Sequence, residues 1–421
     1  MKDGLTRRGF LGASLLFAGG SLVACNASDP TGKASAGGAK ITLNQYYHAY
    51  GEKGVQQAVQ RYAAEYTKAN PDVAVNITWV GGEYETRLNA ALLTPQAPDI
   101  FEIGDFRYQM IKNGQLAPLD DIINPAEYVK ANVDNVTADG KVYGVKMMDD
   151  IMMLYYRKSV LEAAGVTPPT TFDELATAAK KLTTDKMKGL FVGNDGVGDA
   201  GYLLLWSGGG DVIKDGKATF QEGAEAISGL RRLHQDGSLL LGFPTDWYDP
   251  GAIVQNAVAM QWCGLWAMPD IQKALGDDFG VIPWPAFTSG GTSVGRLGGW
   301  YELVNAKSRH VDEAKKYVQW LWAKQDDLQQ DFCLNYGFHV PARTPVAEKA
   351  LQGGKLASGP AKEAVAISQQ SGRSFPALWN TAMGTAFGQA VAGVAKGEGD
   401  AAGLLGDAAA KVQAELDKQL A

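Results

Sequence analysis

Two adjacent carboxylates, Asp149 and Asp150, head the run "DDIMMLYYRK" (149–158). Paired carboxylates are the working groups of glycoside hydrolysis, where they flank the scissile bond at roughly 5–9 Å. In an extended chain, however, neighbouring side chains point to opposite faces. At most one of the two can face a given cleft, so an acid/base pair is a poor reading and a single binding carboxylate a better one. No H-E-x-x-H and no G-x-x-x-x-G-K-[ST] occurs in the chain. The histidines (48, 234, 310, 339) are scattered and there is no C-x-x-C, so neither a metal nor a cofactor is expected.

What does recur is an aromatic ring beside glycines. Trp206 precedes "SGGG", Trp262 and Trp266 bracket "CGL", and Trp300-Tyr301 follow "GG". Such rings, with a few convergent carboxylates, amides and arginines, suit a mostly apolar cleft for a polyhydroxylated ligand, whose apolar faces stack while its hydroxyls hydrogen-bond. The competing reading is that large aromatics fill a core. Core is preferred for Trp320 and Trp322, because Val318, Leu321 and Trp322 share one helical side. The site is preferred for Trp266 and Trp300, and Trp206 and Trp262 stay open between the two.

The elements that position these groups follow from periodicity. "KITLNQYY" (40–47) alternates as a strand, Val55–Asn70 reads as an amphipathic helix, and "PDVAVNITWV" as a second strand. "YETRLNAALL" is a short helix, and "APDIFEIGD" a third strand ending in Asp105. This β-α-β-α-β order predicts a mostly parallel sheet with flanking helices, and ligands on such sheets sit beyond the carboxyl ends of the strands. Tyr47, His48 and Asp105 fall there. Further on, "DGKVYGVKMMDDIMMLYYRK" predicts one long strand, and Thr171 with Glu174 predicts a capping box opening a helix.

The chain of 421 residues can hold two or three ordinary domains, or one two-lobed unit. A net charge of −7 argues against a nucleic-acid partner. The N-terminus reads as an export segment: Arg7 and Arg8 precede an apolar stretch from Phe10 to Val23 that is too short for a comfortable membrane span. "NASDPTGKASAGGAK" (26–40) then reads as a flexible tether. Cys263 and Cys333, far apart in sequence, read equally as free buried thiols or as one disulfide.

Several stretches carry a resemblance. Leu22-Val23-Ala24-Cys25 resembles the lipobox of bacterial lipoproteins, which implies lipidation at Cys25, and "TRRGFL" (6–11) resembles a twin-arginine export motif. From about residue 40 onward the chain resembles the maltose-binding-protein-like sugar-binding lipoproteins of bacterial ABC importers. The resemblance rests on "APDIFEIGDFRYQMIKNGQLAPLDDII", "DGKVYGVKMMDDIMMLYYRKSVLEAAGVTPPTTFDELATAAKKL", "AVAMQWCGLWAM" and "GGWYELVNAKSRHVDEAKKYVQWL".

That resemblance implies an α/β, two-lobed periplasmic-binding-protein fold (type II), each lobe a mostly parallel sheet flanked by helices, with the ligand cleft between lobes. The implied division is signal 1–25, tether 26–40, lobe 1 from 41–148 and 298–343, and lobe 2 from 149–297 and 344–421. It further implies a carbohydrate ligand, ABC permease transmembrane subunits as partners, a monomer, and a lipid-anchored position on the extracytoplasmic face of the membrane. Carried over by position, the ligand residues are Asp105, Asp150 (not Asp149), Trp266 and Trp300, with Arg373 and Trp379 late in the chain. Tyr47, His48, Trp206, Trp262 and Tyr301 complete the expected set. Relatives place an arginine shortly after the strand aspartate, where this chain has Met152. The alternatives are a binder of another polyol or sugar phosphate and a secreted carbohydrate-active enzyme using Asp105 with Asp150.

Overall fold

The computed structural model describes residues 38–50, 53–104 and 106–420. The export segment, Cys25, most of the tether and Asp105 lie outside the described residues.

The protein has the two-lobed type II fold, built on two sheets. The first orders its strands Val73–Val80, Ile41–His48, Ile100–Ile103, Tyr301–Val304 and Val145–Lys146. The first three are parallel. Their connections are helical for a legible reason: Val55, Ala58, Val59, Tyr62, Ala63 and Tyr66 of the helix Val55–Ala69 recur at three and four residues and are all buried. They pack on Leu43, Tyr47 and Ile100 of the sheet and on Tyr317 and Trp322 from the other end of the chain.

The second sheet is organised round the strand Met148–Tyr156. Four strands share its nine residues, all antiparallel: Val258–Gly264, Gly280–Ile282, Gly295–Gly298 and Val340–Pro341. Only Lys188–Phe191 and Gly372–Arg373 add parallel pairs at its flanks. The expectation of a mostly parallel sheet fits the first three strands of the first lobe and not this one. Antiparallel neighbours need no helical crossover, and Met148–Tyr156 enters from the first lobe rather than through a β-α-β unit of its own. The capping box at Thr171 and Glu174 is formed, with both reciprocal hydrogen bonds present.

The chain changes sheets within a few residues. Lys146 ends a strand of the first sheet and Met148 begins one of the second; Gly298 and Tyr301 make the return. The single long strand expected over this region is therefore broken twice, at Tyr143-Gly144 and at Met147. At the third passage Gly337 is required: a Cβ there would lie 2.0 Å from His339 Cδ2. Among the described residues no helix is long and apolar enough to cross a membrane. Cys263 and Cys333 are buried free thiols.

Candidate ligand cleft

In the first lobe the strand Ile41–His48 delivers His48 to the carboxyl end of the sheet. Its imidazole stacks on Trp300 at 4.6 Å, while Tyr50 and Tyr84 meet it edge-on. Burial lowers the His48 pKa to about 4, so the ring is neutral at pH 7. Beneath this cluster lies Glu102, fully buried, which accepts from the His48 backbone N–H and from the Tyr50 hydroxyl (2.8 Å). Glu302 is directly opposite Glu102 in the antiparallel register and equally buried. It accepts from Gln45 Nε2 (2.8 Å) and Trp322 Nε1 (2.8 Å). Burial pushes the Glu302 carboxyl up to about 7. It pushes Glu102 well above the usual range as well, with the neighbouring Glu302 charge adding to the effect.

A cavity of about 440 Å³ is lined from both lobes. The first lobe contributes Glu85 and Arg107, which form an ion pair. The second contributes Asp199, Arg296, Trp247 and Trp379. Asp199 directly precedes the helix Ala200–Ser207, and Arg296 lies in the strand Gly295–Gly298. Arg296 Nη1 donates to Asp199 Oδ2 at 3.0 Å, and the same oxygen accepts from Trp262 Nε1 at 3.2 Å. The guanidinium lies 5.6 Å from the Trp247 ring centre and 5.1 Å from that of Phe375, a cation between two π faces. Phe375 in turn stacks on Trp379 at 6.4 Å. Trp266 is half-buried beside Trp247 and donates from Nε1 to the Tyr248 carbonyl at 2.9 Å. The arrangement presents aromatic faces and charged hydrogen-bond donors and acceptors to one space.

Of the residues expected from sequence, Trp379 lines this cavity, Trp266 borders Trp247, and Trp300 with His48 forms the half-buried cluster of the first lobe. Tyr301 is 3% exposed but lines a small neighbouring cavity between the lobes, where Asn135 Nδ2 donates to Ser374 Oγ at 3.3 Å. Arg373 is committed to Asp211 (2.6 Å) and lies over the Trp206 ring.

Three expectations are corrected by burial. Tyr47 and Trp262 have no exposed surface, and Trp206 is 1% exposed. Trp206 and Trp262 fill the second-lobe core with Leu190, Leu204 and Trp284, and Tyr47 stacks on Trp79 inside the first. A tryptophan beside a glycine turn is thus as often the end of a core layer as the mouth of a site.

Asp150 is set at the crossing between lobes, as a residue held by the protein itself. Alternation does send Asp149 and Asp150 to opposite faces, and each carboxylate has a partner from within the protein. Asp150 is buried and its Oδ1 lies 2.5 Å from His339 Nδ1, tying together two of the passages between lobes. Asp149 accepts from Asn132 Nδ2 at 2.8 Å, with Lys146 Nζ at 3.9 Å. Burial raises its carboxyl to about 6 against the opposing pull of Lys146.

The sequence reading missed Glu85, Arg107, Asp199, Trp247, Arg296 and Phe375. Trp247 in "PTDWYDP" carried the same signal of an aromatic among turn residues. Arg296 stands directly opposite Met152 in the strand register, so a guanidinium reaches that face from the neighbouring strand. Gly291-Thr292-Ser293-Val294-Gly295 also matches G-x-S-x-G by letter. Ser293 is no nucleophile elbow, because a strand and not a helix follows it and its Oγ lies 3.2 Å from Ser371 Oγ.

Comparison with known proteins agrees with this architecture. The model of the bacterial extracellular solute-binding protein family matches residues 51–326. A lactose-binding protein of Rhizobium radiobacter is 28% identical over 304 residues, 66% of this chain and 71% of that protein. An arabinooligosaccharide-binding protein of Bacillus subtilis (strain 168) is 25% identical over 60% of this chain and 63% of its own length. Among solved structures, the GacH receptor of Streptomyces glaucescens superposes with a TM-score of 0.75 at 24% identity, covering 89% of this chain and 99% of that one. UgpB of Mycobacterium tuberculosis, solved with glycerophosphocholine, reaches 0.74 at 17% identity over 90% and 99%. With the family model spanning well over half of its length, and with its two sheets joined by three short passages, the chain belongs to the bacterial extracellular solute-binding proteins.

Proposed function

We propose that the protein is the substrate-binding component of an ABC sugar importer, capturing a mono- or oligosaccharide outside the cytoplasmic membrane and handing it to the permease subunits without chemical change. The carrying observation is the two-lobed cavity in which Trp247 offers a ring, with the buried Trp379 at its edge, while Arg296, Asp199, Arg107 and Glu85 offer charged hydrogen-bonding edges. Pyranose rings present complementary surfaces: an apolar face for the indoles and vicinal hydroxyls for the forked donors of arginine. Trp266, Trp300 and His48 extend the aromatic surface of this reading. The sugar-binding relatives from Rhizobium and Bacillus support it. The lipobox-like "LVAC" supports tethering to the membrane by lipid on Cys25 after export, by the twin-arginine route if "TRRGFL" acts as it reads, with the mature protein a monomer.

A panel of neutral sugars, polyols, sugar phosphates and glycerophosphodiesters, screened by thermal shift and followed by calorimetry, tests the assignment. A cognate sugar at about 100 times its Kd adds roughly 2.7 kcal/mol of stability. Stabilisation by a phosphodiester and by no neutral sugar would replace the assignment, and cleavage of a labelled oligosaccharide would replace the transport reading with an enzyme. Membrane fractionation of Cys25→Ser checks the anchor, which is wrong if the variant stays membrane-bound at mature size.

A further inference from the structure

A short segment of the second lobe touches the first at a point apart from the three chain passages. Gly372–Arg373 ends the second sheet, where it pairs with Gly295 and Arg296, and the helix Thr381–Lys396 packs in that lobe's core. Between them runs segment 374–379, held at both ends. Arg373 is bonded to Asp211 (2.6 Å), and the Asn380 side chain accepts from the Met383 N–H (3.0 Å). The Trp379 N–H closes a turn on the Pro376 carbonyl (2.8 Å), and Pro376 has its φ fixed by its own ring. The segment has two sides. Phe375 and Trp379 pack with the second-lobe core and line the large cavity. Ala377 packs instead on the first-lobe cluster that holds Tyr84, Phe106 and Tyr301. Beside it Ser374 Oγ accepts from Nδ2 of Asn135, which directly follows the first-lobe helix Lys130–Asp134, at 3.3 Å.

We infer that segment 374–379 is a strap coupling the cavity to the approach of the two lobes, with Asn135 and Ser374 as positioning residues that favour the arrangement in which both lobes line the cavity. Because its ends are pinned to the second lobe, the strap cannot follow the first lobe if the two part. The Asn135–Ser374 hydrogen bond and the Ala377 contact are therefore made only while the lobes stand close. A neutral hydrogen bond is worth about two- to tenfold in an equilibrium, which suits a contact that must be made and broken. It biases the balance between near and parted lobes without locking it. A binding-competent arrangement that is only partly populated lowers the apparent affinity in the same proportion. A ligand resting against the cavity side of Phe375 and Trp379 holds the strap in place, and with it the far side against Asn135. Such a ligand shifts the balance because its contacts differ between the two states. The inference builds on the binding role proposed above, but its test needs no ligand, so either can fail alone.

The test uses the unliganded protein as wild type, Ser374→Ala, Asn135→Ala, the double variant Asn135→Ala/Ser374→Ala, and Ala377→Glu. Amide hydrogen exchange is followed in segments 130–136 and 374–379, and the radius of gyration by X-ray scattering. Each single alanine variant should exchange about two- to tenfold faster in both segments, although these lie in different lobes. The double variant should add nothing to the larger single effect, because both substitutions remove the same contact. Ala377→Glu sets a charge against the first-lobe cluster; it should speed exchange further and raise the radius of gyration beyond the wild-type error. Faster exchange confined to the mutated segment overturns the inference. So do additive alanine variants, and so does a folded Ala377→Glu with the wild-type radius. Should Ala377→Glu fail to fold by circular dichroism, Ala377→Gln takes its place under the same criterion.

Discussion

The two lobes solve one problem in opposite ways. Each places a buried tryptophan so that its indole N–H feeds a carboxylate: Trp322 to Glu302 in the first lobe, Trp262 to Asp199 in the second. In the second lobe the carboxylate then meets the Arg296 guanidinium at the cavity wall. In the first it faces another acid, Glu102, across the strand register, and the described residues set no cation against either. The difference shows that a carboxyl is not functional merely by lying near a cleft. Asp199 stands paired with a cation at the wall of the cavity. Burial without a cation makes Glu102 and Glu302 proton holders that brace the aromatic cluster above them.

The comparison breaks most visibly if the two indoles are not structural. Trp262→Ala and Trp322→Ala are each expected to lose about 3–5 kcal/mol, the usual cost of emptying a core tryptophan site, measured by urea denaturation of the unliganded protein. A loss below about 1 kcal/mol would return Trp262 to the candidate site and overturn the core reading of Trp322.

A second measurement sharpens the contrast between proton holder and ion pair. Glu302 titrates near 7 when folded, against 4.5 as its ordinary value. The folded state therefore holds a proton that the unfolded chain has released, and stability falls with rising pH across that window. The contribution is complete below about 4.5 and lost as pH passes about 7. Glu302→Gln should flatten the profile by up to about 1.4 kcal/mol per pH unit within the window. A difference profile between wild type and variant that is flat, or that slopes the other way, would show the first-lobe acids to be charged. The smallest effect is expected at the cavity wall. Trp247→Ala should weaken the cognate sugar about tenfold, near 1.4 kcal/mol, with little change in melting because the ring is half exposed. Unchanged affinity would remove Trp247 from the site.

The elements were legible because their signals are local. Helix Val55–Ala69, the strands at 41–48, 73–80 and 100–103, and the capping box at Thr171 follow from spacing alone. The candidate site was legible in kind and not in membership. An aromatic, polar cleft was foreseen, yet Trp206 and Trp262 went to the core while Trp247 and Arg296 came forward. Asp150 shows why. Alternation limits how many carboxylates face one side, but it is silent about a histidine 189 residues away that takes the carboxylate. The Arg296–Asp199 couple, 97 residues apart, leaves no trace in any window of sequence.

The interleaving of the chain has a consequence for its synthesis. The first sheet opens with residues 41–48 but needs Tyr301–Val304 to join its third strand to its fifth. The second rests on residues 148–156 and takes its last strand from Gly372–Arg373. Neither half can close while the chain is still emerging, and the contacts that complete both are distant in sequence. Such topologies fold slowly. A newly made chain is thus expected to stay loose for a time after release, and refolding in vitro should show both lobes maturing in one late phase rather than in N- to C-terminal order.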